Sequence, residues 1–256
     1  ALPKYSNYQS SGLEWLPDIP AHWNVIRNKY VFREIDMRSK TGEETQLSMS
    51  QIFGLIESEK IEGWRLRSES YVGGKLCQTG DLVLNRLKAH LGVFARANVP
   101  GIVSPDYSVF RPSQGYVSKY FEHLFKTPTY KAELRRRTKG IVEGFWRLYS
   151  DDFYDIRVIV PPQEEQTSIV KFVAGFDART RHLIQKKNQL IKLLRERRRT
   201  IINRTVTCGL DAGVQTKPSG ITSMPIVPSH WDVAPICSIA TKKSIVNHAH
   251  LQLLSV

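Results

Sequence analysis

Cysteine is scarce in this chain. Cys77, Cys208 and Cys237 are the only three in 256 residues. Odd in number and far apart, they make neither a disulfide framework nor a CxxC zinc pair, and reduced thiols are expected. Long apolar runs are missing as well. No stretch approaches the roughly 18 residues of a membrane-spanning helix. The start, Ala1-Leu2-Pro3-Lys4-Tyr5, has no signal-peptide core, so a cytoplasmic protein is expected. Catalytic motifs are equally thin: there is no GxxxxGK[ST] loop for ATP and no glycine fingerprint after a strand for a dinucleotide. The single Pro-Pro, Pro161-Pro162, follows Val160, whereas an adenine methyltransferase loop needs Asn or Asp there. Pro105-Asp106 lacks the downstream acidic residue and lysine of a nuclease metal site. His and carboxylate groups nowhere share ligand spacing. The chain is therefore expected to be non-catalytic by itself, with no cofactor or metal of its own.

Acidic residues are also in short supply. Lys and Arg total 37 against 24 Asp and Glu, a net charge of +13. An excess of this size favours a polyanionic partner and steers its association electrostatically. Nucleic acid is the natural candidate, since nothing in the sequence is built to enter a membrane.

What is present has order. Hydrophobic residues make up 41% of the chain, enough for a packed core. Short runs rich in β-branched and aromatic residues, Asp81–Leu84, Gly92–Ala95 and Tyr107–Phe110, are punctuated by Gly73-Gly74, Thr79-Gly80, Pro100-Gly101 and Ser104-Pro105. This predicts strands joined by tight turns, in a mixed α/β (α+β) domain with a mostly antiparallel sheet. Between Ser118 and Arg137 the apolar period lengthens, predicting one or two short helices that end in Arg135-Arg136-Arg137. A last strand, Ile156–Val160, runs into Pro161-Pro162.

After that boundary come about forty residues whose only Gly or Pro is Gly175, opened by Glu164 and Glu165. This predicts one long coiled-coil-type helix. Its seam would carry Ile169, Val173, Phe176, Leu183, Leu190, Leu194 and Ile201, and such a stripe needs a partner helix. Residues 163–205 hold eleven Lys and Arg against four Asp and Glu, so over half of the excess charge lies there.

The chain also repeats itself. Leu16-Pro17-Asp18-Ile19-Pro20-Ala21-His22-Trp23-Asn24-Val25 returns as Met224-Pro225-Ile226-Val227-Pro228-Ser229-His230-Trp231-Asp232-Val233, 208 positions later (224 − 16). A period this long signals a duplicated domain, not a solenoid. The expected organisation is a complete domain over 1–162, a spacer helix over 163–207, and a linker with the truncated start of a second domain over 208–256.

The Ile-Pro-x-His-Trp opening, Gly80-Asp81-Leu82-Val83-Leu84, the junction Val160-Pro161-Pro162-Gln163-Glu164-Glu165-Gln166 and the repeat together resemble the specificity subunit of Type I restriction-modification enzymes. The order and spacing of these pieces carry the resemblance. It implies target recognition domains that each read one half of a bipartite double-stranded DNA site, held apart by long antiparallel helices. It further implies docking of modification subunits, which methylate adenine with S-adenosylmethionine, and through them of restriction/translocase subunits that use ATP and Mg²⁺. The chain departs from that pattern in having one recognition domain and one long helix, so two copies are expected to pair through the seam as a homodimer. The rivals are a coiled-coil arm that binds RNA by shape and a single-chain DNA nuclease or methyltransferase.

Candidate DNA contacts follow from residue type. Arg86, Lys88 and His90 follow a predicted strand at alternate positions and would point together as a loop facing DNA. Arg135, Arg136, Arg137 and Lys139 put four positive charges into five residues suited to phosphates. Arg147 sits beside Phe145, Trp146 and Tyr149; the aromatics are expected in the core more than as stacking platforms. Gln46, Ser48 and Gln51 offer amides and hydroxyls to base edges, and Lys40 and Tyr107 complete the set. His22-Trp23 and His230-Trp231 are expected to pack, since one His per copy is poor evidence for a catalytic or metal site.

Overall fold

The computed structural model describes residues 5–16, 18–50, 54–60, 71–140, 146–211 and 213–242. The chain divides into two compact units, residues 1–178 and 179–256. The first unit opens with β1 (Tyr8–Gln9), β2 (Ile19–Pro20), β3 (Asn24–Arg27), β4 (Phe32–Ile35), β5 (Leu47–Ser50) and β6 (Gly54–Glu57). It continues with β7 (Lys75–Cys77), β8 (Leu82–Asn85), β9 (Phe94–Arg96), β10 (Gly101–Val103) and β11 (Tyr107–Pro112). Helices α1 (Ser118–Phe125), α2 (Pro128–Arg137) and α3 (Ser150–Tyr154) follow, then β12 (Arg157–Val160) and the first turns of α4 (Gln163–Cys208). The second unit holds the rest of α4, a hairpin of β13 (Thr216–Ile221) and β14 (Met224–Pro228), and α5 (Ile236–Ile239). The pairings between these strands are antiparallel.

The central sheet has the order β4-β11-β8-β9 and is covered on both faces. Successive side chains of a strand point to opposite faces. Leu82, Leu84, Phe94 and Phe110 accordingly enter one core with the helices, while Val83, Ala95 and Val109 enter a second one with Leu47, Leu55 and Val103. That is why Leu82-Val83-Leu84 reads as an unbroken apolar run. The larger core is aromatic: Phe32, Phe94, Phe110, Phe121, Phe125 and Phe153 are all fully buried, each worth about 1.5–3 kcal/mol of burial. Helix α1 supplies Tyr120, Phe121, Leu124 and Phe125 at helical spacing. Helix α2 begins with Pro128 at its first position and Thr127 as a cap accepting from Tyr130 N.

The Gly-Asp preceding β8 has its own task. Asp81 accepts from Gln78 N at 2.8 Å and takes Arg111 of β11 in a two-pronged ion pair, 2.9 Å on each side. It thereby locks the turn to the neighbouring strand.

The start of α4 is tied to the first unit. β12 pairs with β3, and Pro162 O accepts from Glu165 N and Gln166 N at 2.9 Å. Gln166 is buried; its side chain accepts from Val117 N and donates to Pro161 O, both at 2.9 Å. Ile169, assigned to the seam from sequence, instead packs with Val170 against the aromatic core, and Val173 is half-buried. Further along, Phe176, Leu183, Leu190, Leu194 and Ile201 remain 52–57% exposed. Phe172, Ile184, Ile191 and Ile202 are exposed too, so the open stripe is broader than a two-position seam.

The sequence repeat is also a structural repeat. Tyr8 and Gln9 pair with Pro20 and Ile19, and 208 positions on Thr216 and Lys217 pair with Pro228 and Val227. Ser11 Oγ accepts from Leu13 N and donates to Leu16 O; Ser219 Oγ accepts from Ile221 N and donates to Met224 O. Gly12 and Gly220 both take left-handed φ, +70° and +77°, where a side chain is strained. Trp23 N donates to Pro20 O at 2.9 Å, and Trp231 N to Pro228 O at 3.0 Å.

Candidate nucleic-acid interface

The residues after β8 do not alternate. Asn85 accepts from Leu87 N and Lys88 N at 3.2 Å and starts a 3₁₀ helix, Arg86–Leu91, kinked at Lys88 and ended by Gly92 in the left-handed region. At three residues per turn, positions i and i+3 share a side, not i and i+2. The expected common side for Arg86, Lys88 and His90 is therefore corrected: Lys88 is exposed, Ala89 is buried, and Arg86 and His90 are half-buried.

What collects there is a set of cations against aromatic rings. The Arg86 guanidinium lies 5.5 Å from the Tyr149 ring centre, and Arg86 O accepts from Leu148 N at 3.1 Å. His90 meets Trp146 edge to face at 5.4 Å, and the Arg135 guanidinium lies 5.7 Å from the same Trp146 ring. Trp146 is half-buried and Tyr149 exposed, so both are surface platforms rather than the core aromatics expected. Phe145 lies outside the described residues. Burial first, and then the nearby Arg135 charge, hold the His90 imidazole below its ordinary pKa. Arg86 Nε and His90 Nδ1 are buried without a hydrogen-bond partner, two of four such side-chain atoms among the described residues. Buried polar atoms are normally satisfied, so each of these needs an explanation.

The Arg-rich end of α2 is partly neutralised. Glu133, one turn earlier with a side chain only 1% exposed, holds Arg136 through two bonds and Arg137 at 2.6 Å. Lys139 pairs with Asp152 at 2.7 Å and Arg147 with Asp106 at 3.1 Å, and the two basic residues bridge each other's backbone. Arg135, Lys88 and Lys40 are exposed. Tyr107 sits opposite Asn85 across β11 and β8, its phenol raised by burial. Gln46 O accepts from Ser58 N at 2.8 Å. Ser48 is buried, with its hydroxyl 2.7 Å from Ser58 Oγ, which corrects its place among the base readers. Gln51 lies outside the described residues.

A second basic feature was not foreseen. Arg27, Arg136, Arg137 and Arg157 line one recess together with Asp155 and Trp15. Arg27 and Arg157 face each other directly in the β3–β12 register, an arrangement that like charges disfavour. Of these two, only Arg27 has an ion pair among the described residues, to Asp155 at 3.6 Å. Residues 130 positions apart (157 − 27) leave no local pattern; the sole sequence signal was the overall charge.

His22 and Trp23 do more than pack. His22 Nε2 lies 2.8 Å from Glu165 Oε2, Trp23 Nε1 donates to the same oxygen at 3.1 Å, and Tyr5 OH donates to Oε1. Burial works to raise the Glu165 carboxyl, but the Tyr5, His22 and Trp23 bonds outweigh it and hold it low. The bond to Glu165 in turn pushes the Tyr5 phenol up to about 12. Among the described residues no group of three or more His, Cys, Asp or Glu could hold a metal, and no helix is long and apolar enough to cross a membrane.

The sequence profile of the family described as Type I restriction modification DNA specificity domain matches residues 25–193. None of the curated proteins matches the chain significantly. Among solved structures, a chain from work on complex assembly and conformational transition of the type I R-M system matches at 16% identity, covering 77% of this chain and 48% of that one, with TM-score 0.53. The HsdS subunit from Thermoanaerobacter tengcongensis matches at 16% identity over 77% of this chain and 47% of its own, with TM-score 0.48. The chain thus spans about half the length of the solved chains it matches, and the first of them shares its fold.

Proposed function

The chain belongs to the Type I restriction modification DNA specificity family, and on that footing we propose that its first domain reads one half of a bipartite site in double-stranded DNA. The observation that carries this reading is the Arg86, His90 and Arg135 cluster on Trp146 and Tyr149, with its two unsatisfied buried nitrogens. Nucleic acid offers acceptors for those groups, and Arg86 and Lys88 are the residues proposed to meet base edges or phosphates. Arg135 and the four-arginine recess are proposed as phosphate contacts, which position the duplex without reading it.

In this reading residues 1–162 are the recognition domain, 163–207 the spacer helix and 208–256 the opening of a second recognition domain. The chain performs no covalent chemistry. It docks methyltransferase subunits carrying S-adenosylmethionine and, through them, restriction/translocase subunits using ATP and Mg²⁺, in the cytoplasm. The open stripe of α4 supports pairing of two copies, antiparallel, through Leu183, Leu190, Leu194 and Ile201. A strictly monomeric mass by light scattering at micromolar concentration would defeat the pairing.

The test of the main reading is a binding competition. Random-sequence duplex DNA selected on the protein should converge on one motif, and structured RNA should not displace it. Enrichment of no motif, or equal competition by RNA, refutes it.

A further inference from the structure

We propose that Arg86 reads one guanine of the DNA site end-on, through Nη1 and Nη2, and that the Tyr149 ring is the platform that aims it. The inference rests on the reading of the first domain as a duplex-DNA reader and adds the base that it recognises.

The guanidinium is held in place by the protein alone. Arg86 opens the 3₁₀ helix capped by Asn85, and its carbonyl accepts from Leu148 N at 3.1 Å, which ties it to the residue before Tyr149. Its charge stands 5.5 Å from the Tyr149 ring centre, within reach of a cation–π contact. Nε is buried and bonds to nothing, whereas Nη1 and Nη2 meet no acceptor among the described residues and are not among the buried atoms. The group is therefore seated with Nε inward and its two terminal nitrogens outward. A buried, unpaired N–H costs stability, and a local rule broken without compensation in the fold is a mark of functional sites.

The charge is also left unspent. Glu133 holds Arg136 and Arg137, Asp152 holds Lys139 and Asp106 holds Arg147, but Arg86 has no ion pair among the described residues. Lys88, likewise without one, is exposed, whereas Arg86 is half-buried. A phosphate needs a cation but no such aim; a base edge needs both. Two neighbouring N–H groups that share a positive charge require two acceptors side by side. In the major groove guanine alone offers them, O6 and N7; adenine sets a donor beside its acceptor, cytosine presents a donor, and thymine presents one acceptor beside a methyl group.

The test starts from the motif that random duplex DNA yields on the parent chain. Arg86→Ala should select the same motif with one guanine position made degenerate. Replacing that guanine by adenine should weaken the parent about 5- to 150-fold and leave Arg86→Ala unaffected; 7-deazaguanine, which lacks one of the two acceptors, should weaken the parent as well. Tyr149→Phe keeps the ring and should keep the preference, while Tyr149→Leu should relax it at that position alone with unchanged circular dichroism. Arg86→Gln, whose amide pairs with adenine instead, covers the case in which the alanine variant does not fold, and it too should lose the guanine. A motif without guanine, a motif unchanged in the folded Arg86 variants, or a loss of affinity equal at every position, as a phosphate contact would give, overturns the proposal and leaves the DNA reading standing. A parent that selects no motif refutes the DNA reading and the proposal with it.

Discussion

Replacing Arg157 by Ala should flatten the salt dependence of DNA binding without changing the preferred sequence. Arg157 shares the recess with Arg27, Arg136 and Arg137, but Glu133 holds the last two and Asp155 lies 3.6 Å from Arg27. No ion pair of Arg157 occurs among the described residues, so its removal subtracts one cation and frees no carboxylate. Each phosphate contact contributes about 0.9 to the slope of log K against log salt. The ratio of parent to Arg157→Ala affinity should therefore shrink about 3.5-fold between about 50 and 200 mM salt, and about 12-fold for a double variant with Arg27→Ala. The double variant also leaves Asp155 unpaired, so Asp155→Asn in the parent should act in the opposite sense and tighten binding at low salt. Fluorescence anisotropy with a labelled duplex over a salt series measures all four proteins. A slope identical to the parent's in the double variant would remove the recess from the interface, as would an altered sequence preference at unchanged slope, because phosphate contacts carry no base information.

Other consequences concern the fold. Asp81→Ala strands Arg111, whose side chain is one-third exposed, and opens the turn before β8 by leaving Gln78 N unbonded; a loss of about 1–3 kcal/mol is expected from urea unfolding. Glu122 is buried, which raises its pKa, yet Lys126, Lys119 and Arg96 N bind it and bring it below 4.5 overall. Its contribution is thus present above the unfolded-state value and lost as pH falls through the lower folded one. Glu122→Gln should be less stable than the parent at neutral pH, and the two should converge in acid. Gln166→Ala leaves Val117 N and Pro161 O unpaired at a buried site and should cost about 1–3 kcal/mol, read as a lowered urea midpoint with the circular dichroism of α4 retained.

Much of the fold was legible locally. Leu82-Val83-Leu84 and Tyr107–Phe110 lie in strands, the segment before Arg137 forms two helices, and α4 runs from Gln163 to Cys208. Each rests on patterns within a few residues: β-branched runs between turn residues, apolar spacing of three and four, Pro-Pro before an acidic first turn. The stretch from Arg86 to His90 was misread because its direction depends on Asn85 capping a 3₁₀ turn, which residue types alone do not announce. Ser48 was misplaced for a similar reason: its partner Ser58 lies ten residues on, just past β6 at the start of a 3₁₀ turn.

The sequence by itself determined the excess of positive charge, the absence of catalytic motifs, the long amphipathic helix and the duplication with its constant offset, since each is a property of composition or of order along the chain. Only the tertiary structure decided that His22 and Trp23 grip Glu165 from more than 140 positions away, that Arg27 and Arg157 share a recess, and that Trp146 and Tyr149 face outward beneath cations. The physical reason is one of range. Periodicity and capping act between neighbours, whereas ion pairs and ring contacts form wherever strand pairing and core packing bring distant side chains within a few ångströms.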